Sequence, residues 1–272
     1  MRRILMICVT LLLSVTLHLR TFASESIEIS TIEELVEYAA KDGVDVTMRS
    51  GVYKIDDPKV AKRVVIKKYS ATSAKEDQVG VDYPITTLLH FSGSNSTYNL
   101  QGVTIKLSGE LHESFSTGHI FELFVTGDNN TIKGLSMEDE GDVPPKKGSA
   151  IMVHIMGDDN TLDGVQLLVR GSSPYGYGHL LGKGGSSVLV DLHKHSSLLV
   201  SGRDTKLLRC RVITRAYGHG IVMQGAVNTY IEGCYVEGRM RTTDDMLAER
   251  SGVAYDSGFK TIYPPGVNSH FC

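Results

Sequence analysis

Two stretches of the chain decide the fold: residues 120–137 read IFELFVTGDNNTIKGLSM, and residues 151–168 read IMVHIMGDDNTLDGVQLL. Each contains a strand-sized apolar run, a glycine, a polar turn around Asn-Thr, a second short run, another glycine and a third apolar run. Alternating apolar residues such as Ile151, Val153 and Ile155 are typical of β-strands. The pattern therefore predicts units of three short strands joined by turns.

Five segments of the chain share this pattern. They are residues 88–107, 120–137, 151–168, 195–213 and 220–236. Their first glycines are Gly93, Gly127, Gly157, Gly202 and Gly225, so successive steps are 34, 30, 45 and 23 residues. Repeats of roughly 20 to 50 residues indicate a solenoid. Because a single coil cannot bury its inner face or pair its strand edges, the coils must stack. We predict an all-β solenoid with coils over about residues 44–240 and insertions at one turn.

Stacking places equivalent residues in ladders. One predicted interior ladder consists of Val103, Leu135, Val165, Cys210 and Cys234. This position favours two buried, apolar cysteines over the alternative of a disulfide, and the absence of a C-x-x-C pair gives no support for zinc. A predicted turn ladder consists of Asn130, Asn160 and Asn228, whose amides tolerate a left-handed backbone and hydrogen-bond along the stack.

The start of the chain has the features of a signal peptide, residues 1–23. A basic Met1-Arg2-Arg3 precedes an apolar run, and small residues before Ser24 predict cleavage after Ala23. The alternative is a short buried helix. Cleavage would make the protein secreted or periplasmic and leave residues 24–272 as a single domain with a C-terminal extension over 241–272.

An amphipathic helix is predicted over residues 30–41, with Ser30 or Thr31 as its N-cap. Solenoids need such a cover at their ends. The helix, the following VDVTMRSGVYKI and the irregular coils resemble the pectate-lyase-like right-handed parallel β-helix superfamily. The resemblance covers roughly Ser30 to Arg241 and implies a single-stranded right-handed parallel β-helix with an N-terminal α-helical cap. It does not fix the activity, because this scaffold carries lyases, hydrolases, epimerases and binding proteins.

Composition excludes some classes of protein. The chain has 272 residues, of which 41% are hydrophobic and 22% are charged, which excludes a disordered polyelectrolyte. The body of the chain holds no apolar run of about 18 residues, so no membrane span is expected after signal removal. No nucleic-acid partner is predicted, and the oligomeric state stays open.

The charge is unevenly distributed. Residues 170–241 contain ten Lys and Arg against four Asp and Glu, a local charge of +6, whereas the whole chain carries -3. A basic face on an acidic, exported protein suits an acidic polysaccharide. The alternative is a solvated face of scattered charges.

Two short runs in this basic region carry the candidate catalytic residues. Aligning Gly202 with Gly225 places Lys194 beside Tyr217 and Ser196 beside His219, on coils about 4.8 Å apart. The predicted catalytic set is Lys194, His195, Arg215, Tyr217 and His219. Predicted substrate-binding residues are Tyr177, Lys183, His193, Arg239 and Arg241.

These residue types suit β-elimination on a uronate such as that of alginate. We expect Lys194 or His195 to act as the base, Tyr217 or His219 as the acid, and Arg215 to neutralise the carboxylate.

Two alternatives stay open, a β-helical glycoside hydrolase and a non-catalytic glycan-binding solenoid. The Gly218-His219-Gly220 run is similar to an element of β-helical polygalacturonases, but the acidic residues that accompany it in those hydrolases are missing upstream. No cofactor or metal is predicted. Asp244, Asp245 and Glu249 could bind calcium, but their position favours the alternative that they are acids in the first turn of a helix.

Overall fold

The protein is a parallel β-solenoid built from three sheets. The computed structural model describes residues 26–68, 81–115, 119–141, 148–170, 193–239, 241–256 and 258. The predicted signal peptide therefore lies outside the described residues. Among the residues described, neighbouring strands within each sheet come from successive coils and pair in parallel, apart from the antiparallel pair at Lys62–Lys68 and Val81–Phe91. The all-β parallel solenoid predicted from the repeats is confirmed.

Each sheet contains one strand from each coil. Sheet A contains, in spatial order, β1 Ile27–Ile29, β2 Asp45–Met48, β6 Thr97–Asn99, β9 Thr131–Lys133, β12 Thr161–Asp163, β15 Lys206–Leu208 and β18 Tyr230–Glu232. Sheet B contains β3 Gly51–Ile55, β7 Val103–Ser108, β10 Ser136–Glu140, β13 Gln166–Val169, β16 Arg211–Thr214 and β19 Tyr235–Gly238. Sheet C contains β4 Lys62–Lys68, β5 Val81–Phe91, β8 His119–Val125, β11 Gly148–Ile155, β14 His193–Val200 and β17 Ile221–Met223.

The helices are short. Helix α1 spans Ile32–Tyr38, α2 spans Thr243–Leu247 and α3 spans Val253–Asp256, and 3-10 turns occupy Pro58–Val60 and Gly109–Ser114. Helix α1 is shorter than predicted. Thr31 is its N-cap and forms a capping box with Glu34, while Ile32 and Leu35 join the solenoid core. None of the described helices is long and apolar enough to cross a membrane.

The interior is filled by ladders of equivalent side chains. Val103, Leu135, Val165 and Cys210 are all buried, as predicted, and Cys234 of the last coil is half-buried against them. Both cysteines are free thiols, which confirms the apolar interpretation over a disulfide. In the last coil, by contrast, Ile231 and Val236 are 41% and 50% exposed, although their ladder partners Leu207 and Val212 are fully buried.

The glycines that begin each polar turn allow the coils to approach closely. A Cβ atom built on Gly157 would lie 2.1 Å from the carbonyl oxygen of Gly127, and one on Gly202 would lie 2.0 Å from that of Gly157. Gly225 does not continue this ladder, because Arg203 pairs with Val227 and places Ala226 beside Gly202. The predicted equivalence of Gly202 and Gly225 is therefore wrong by one residue at this turn.

The asparagine ladder forms at the next position of the same turn. Asn130 donates from Nδ2 to the carbonyl of Gly93, Asn160 donates to that of Gly127, and the Asn160 side chain accepts from the Asn130 amide at 2.9 Å. Asn228 is wrongly assigned to this ladder. It is exposed and takes the left-handed conformation, at φ 56°, like Asn129 one position before Asn130.

Nearly all the variation in coil length lies at one corner, the connection from sheet B to sheet C, which we call the variable corner. The connection from sheet C to sheet A is constant through the middle coils and runs from Val125 to Thr131, from Ile155 to Thr161 and from Val200 to Lys206. The variable corner instead runs from Glu140 to Gly148, from Val169 to His193 and from Thr214 to Ile221. The predicted insertions therefore enter sheet C at its amino ends.

Candidate functional site

The predicted pairing of the two histidine-bearing runs is present in sheet C. Leu198 pairs with Ile221, a shift of 23 residues. Upstream, the His195 amide donates to the Tyr217 carbonyl at 2.7 Å, and the Ser197 amide donates to the His219 carbonyl at 2.8 Å. These bonds place Lys194 beside Tyr217 and Ser196 beside His219, and the register predicted from the sequence is confirmed.

Lys194 and His219 meet on the outer face of this sheet. Their Nζ and Nε2 atoms lie 3.3 Å apart, and both side chains are half-buried. Arg215 and Tyr217 are also half-buried and alternate with Ala216 and Gly218, which are buried. Four of the five predicted catalytic residues therefore lie on neighbouring, partly accessible positions. We call Lys194, Arg215, Tyr217 and His219 the outer-face site.

Two further polar residues extend this site along the sheet. Ser149 is paired with Lys194 on one side and with His119 on the other, and the Oγ of Ser149 lies 2.7 Å from Nδ1 of His119. The ring of Tyr83 lies 4.6 Å from the ring of His119. These residues are missing from the predicted catalytic set because that set came from comparing the last two coils alone. Aligning the earlier coils through their glycines would have found His119 and Ser149.

His195 does not belong to the outer-face site. It is fully buried and lies in the interior with Glu122 and Asp139, so its predicted place on an accessible patch is wrong. The cause is a local change of strand phase. Met152 and Val153 are consecutive yet both belong to the core, and the backbone pairing skips Met152 and its neighbour Ser197. Residues before Ser197 therefore face opposite to what strict alternation predicts.

The interior cluster contains His112, Glu122, Asp139 and His195, which are all buried. Glu122 Oε1 lies 2.8 Å from Nε2 of His112 and 3.3 Å from Nε2 of His195, and His195 Nδ1 lies 3.5 Å from Asp139 Oδ2. The Arg170 amide donates to the same Asp139 oxygen at 2.9 Å. His112 comes from the 3-10 turn in the variable corner, Asp139 from β10, and Glu122 and His195 from sheet C.

The cluster changes the ionisation of its members. Burial opposes ionisation of Glu122, but the charge of His195 and the hydrogen bonds from both histidines outweigh it and lower its pKa to about 2. Burial also opposes protonation of His195, but Glu122 and Asp139 raise its pKa to about 9. Burial, followed by the charge of Glu122, raises the pKa of Asp139 to about 8. The cluster therefore favours an ionised Glu122 and a protonated His195, and it disfavours ionisation of Asp139.

Of the remaining predicted residues, Arg239 lies beside Arg215, because Gly238 pairs with Thr214 and the Arg239 amide donates to the Thr214 carbonyl at 2.8 Å. Its guanidinium forms an ion pair with Glu237 at 2.6 Å, and Arg241 forms one with Glu249. His193 is the first residue of β14, and Tyr177 and Lys183 lie outside the described residues. The two arginines are therefore already engaged by acids near the last coil.

The acids proposed for calcium have structural contacts instead. Thr242 is the N-cap of α2 and accepts a hydrogen bond from the Asp245 amide, which confirms that Asp244 and Asp245 lie in a first helical turn. The Glu249 carboxylate is bound by Arg241. These residues do not fit a calcium site, and no chemical step is assigned to calcium.

Comparison with known proteins does not define a family for the chain. A scan against protein-family models and a search of curated proteins each return no match. The functional proposal therefore rests on the outer-face site and its surroundings.

Proposed function

We propose that the protein is an exported polysaccharide lyase that cleaves a uronate-containing glycan, such as alginate, by β-elimination. The observation that carries the proposal is the 3.3 Å contact between Lys194 Nζ and His219 Nε2 on the outer face of sheet C, beside Tyr217 and Arg215. Cationic, phenolic and imidazole groups together are what this reaction needs.

A general base must be held beside the proton that it removes. Nζ of Lys194 lies 3.3 Å from Nε2 of His219 at half-buried positions of the outer face. In this proposal Lys194 is the base, and His219 holds its amine in place.

The reaction proceeds at two neighbouring carbons of the sugar. Arg215 pairs with the uronate carboxylate and makes the C5 proton more acidic, and Lys194 removes that proton. The electrons of the C5–H bond form the C4=C5 double bond while the C4–O4 bond breaks. Tyr217 donates its phenolic proton to O4, so the products are an unsaturated uronate and a chain with a free hydroxyl.

The architecture proposed for this enzyme is a right-handed parallel β-helix of the pectate-lyase-like superfamily. Helix α1 supports the assignment of an N-terminal cap, since Leu35 is fully buried in the core and Ala39 accepts hydrogen bonds from the amides of Ser92 and Gly93 in the first coil. Export is proposed from the basic and apolar start of the chain, residues 1–23.

Inverting hydrolysis would need two carboxyl groups roughly 6.5–9.5 Å apart on either side of an accessible sugar. Glu122 and Asp139, which contact His195 on the inner side of the strand that carries Lys194, are buried with 0% and 4% exposure. This burial favours the lyase over the hydrolase.

The test is incubation of the protein with alginate, pectate and glycosaminoglycans while the ultraviolet absorbance of an unsaturated uronate is followed. A rise in absorbance with at least one substrate is the expected result. New reducing ends without absorbance would show a hydrolase, and binding without either product would show a glycan-binding solenoid. Both outcomes would overturn the proposal.

A further inference from the structure

We propose that His112, Glu122 and His195 bind one divalent transition-metal ion, with zinc as the best match, inside the solenoid. This site is distinct from the outer-face site and does not depend on the lyase proposal. The argument rests on the distances among the four buried residues, on their chemistry and on their charge balance.

The three ligand atoms are already gathered around a common point. His112 Nε2, His195 Nε2 and a carboxylate oxygen of Glu122 all lie within 4.8 Å of one another. Donor atoms that each lie about 2.0–2.2 Å from one zinc ion are at most about 4.4 Å apart, so this group is close to the spacing that one ion requires. Within the described part of the chain, this is the one group of three such residues that meets this spacing. The geometry therefore suits a single shared ion.

The types of ligand atom indicate which class of metal ion would bind. Two imidazole nitrogens and one carboxylate are typical ligands of Zn²⁺ and of other first-row transition metals. Calcium and magnesium prefer oxygen ligands, which these two histidines do not supply. Among common divalent ions, zinc also binds such nitrogen sites more tightly than manganese or iron(II) does.

A second observation is the remaining oxygen of Glu122. Its Oε2 atom is buried and has no hydrogen-bond partner among the residues that the structure describes. A buried, ionised carboxylate oxygen without a partner is costly. A metal ion bound by both oxygens of Glu122 would satisfy this atom and would complete four protein donor atoms.

Asp139 supports the metal site without binding the ion. Its Oδ2 lies 3.5 Å from Nδ1 of His195, on the side of the ring opposite to Nε2. A carboxylate in this position holds a histidine ligand in the tautomer that carries its proton on Nδ1, so that Nε2 can bind the metal. The backbone amide of Arg170 fixes the same oxygen at 2.9 Å. Asp139 is thus a positioning residue.

The charges of the site balance when the metal is present. A divalent cation, two neutral histidines and two carboxylates sum to zero. Without a cation, two carboxylates share the interior, which is costly for buried charges.

The burial of all four residues indicates a structural metal that enters as the protein folds. The test therefore unfolds the full chain in a chelator and refolds it with or without Zn²⁺ alone. Elemental analysis after removal of free metal should find one zinc per chain, and zinc should raise the midpoint of thermal unfolding. Refolding with Co²⁺ should give visible absorption bands of a nitrogen- and oxygen-bound ion.

Substitutions distinguish the proposed zinc ligands from other buried residues by their effect on zinc affinity. His112→Gln and Glu122→Gln should each lose at least tenfold in zinc affinity, and Asp139→Asn should lose roughly 10–100-fold. His154→Gln is the matched control, because His154 is another buried histidine of sheet C outside the cluster and should leave zinc binding unchanged. If a ligand variant fails to fold, the zinc content of the unaltered chain and the affinity of Asp139→Asn decide.

Two results would overturn the metal site. One is an unaltered chain that contains no zinc after refolding and melts at the same temperature with and without it. The other is equal zinc content in the unaltered chain and in the folded His112 and Glu122 variants. Neither result bears on the lyase assay, so failure of the two proposals can be distinguished.

Discussion

Asp139 of sheet B and His195 of sheet C face each other across the interior of the solenoid, with Oδ2 and Nδ1 3.5 Å apart. The contact joins a carboxylic acid and an imidazole in a place that coils of this kind fill with apolar side chains, such as Met137 two residues before Asp139. Interior polar groups are costly unless they are satisfied. The polar cluster around this contact therefore distinguishes this part of the core from the apolar ladders beside it.

Lys194→Ala and Tyr217→Phe should each lower lyase turnover by roughly 10²–10⁴-fold, because each removes a proton-transfer group. The measurement is the initial rate of ultraviolet absorbance on the substrate that the unaltered enzyme cleaves. Lys206→Ala removes an exposed lysine of sheet A and serves as the control, with an unchanged rate. Full activity in both site variants would refute the assignment of the outer-face site.

Gly157→Ala should destabilise the solenoid by about 1–3 kcal/mol or more, since the added methyl group would lie 2.1 Å from the Gly127 carbonyl oxygen and would force two coils apart. Urea-induced unfolding measures the change in free energy. Gly51→Ala is the control, because its methyl group would meet the Tyr53 ring at an ordinary 3.6 Å. Equal stability of the two variants would contradict the close approach at the polar turn.

We predict that His154 makes the free energy of unfolding decrease in mild acid. Burial lowers its pKa to about 4, so between pH 6.5 and 4 the unfolded chain binds a proton that the native chain does not. Its contribution is complete above pH 6.5 and declines as the pH falls towards 4, by up to about 3 kcal/mol.

Unfolding free energies of the unaltered chain and of His154→Gln, measured from pH 7.5 to pH 4.5, test this effect. The difference between the two proteins should shrink as the pH falls, since only one of them carries the titrating imidazole. Parallel pH profiles would show that His154 is not responsible.

Cys210 should resist alkylation in the native protein. Burial, aided by the neighbouring Cys234, raises the pKa of its thiol to about 12, so very little thiolate forms at pH 8. Iodoacetamide labelling followed by peptide mass analysis should leave Cys210 unmodified until urea unfolds the chain. Similar labelling in the native and unfolded states would contradict the buried position.

The repeated pattern of glycines and apolar runs predicted the solenoid, because these features lie within each coil and are kept when an insertion lengthens a turn. It also predicted the pairing of Lys194 with Tyr217, since the coil between them carries no insertion. It failed for His195, because the strand pairing skips Ser197 together with Met152, and strict alternation in the sequence does not reveal this change of phase. His112 and Asp139 lie outside the aligned ladders of sheet C, so no spacing in the sequence connects them with Glu122.

The variable corner has a consequence for how this chain can diversify. Segments there differ in length between coils, yet Leu198 and Ile221 on the next strands keep their partners. The segment between Val169 and His193 can thus be exchanged without altering the strand register, and a new loop there would lead directly into Lys194. The scaffold offers a grafting position at which recognition can be redesigned while the stack below stays intact.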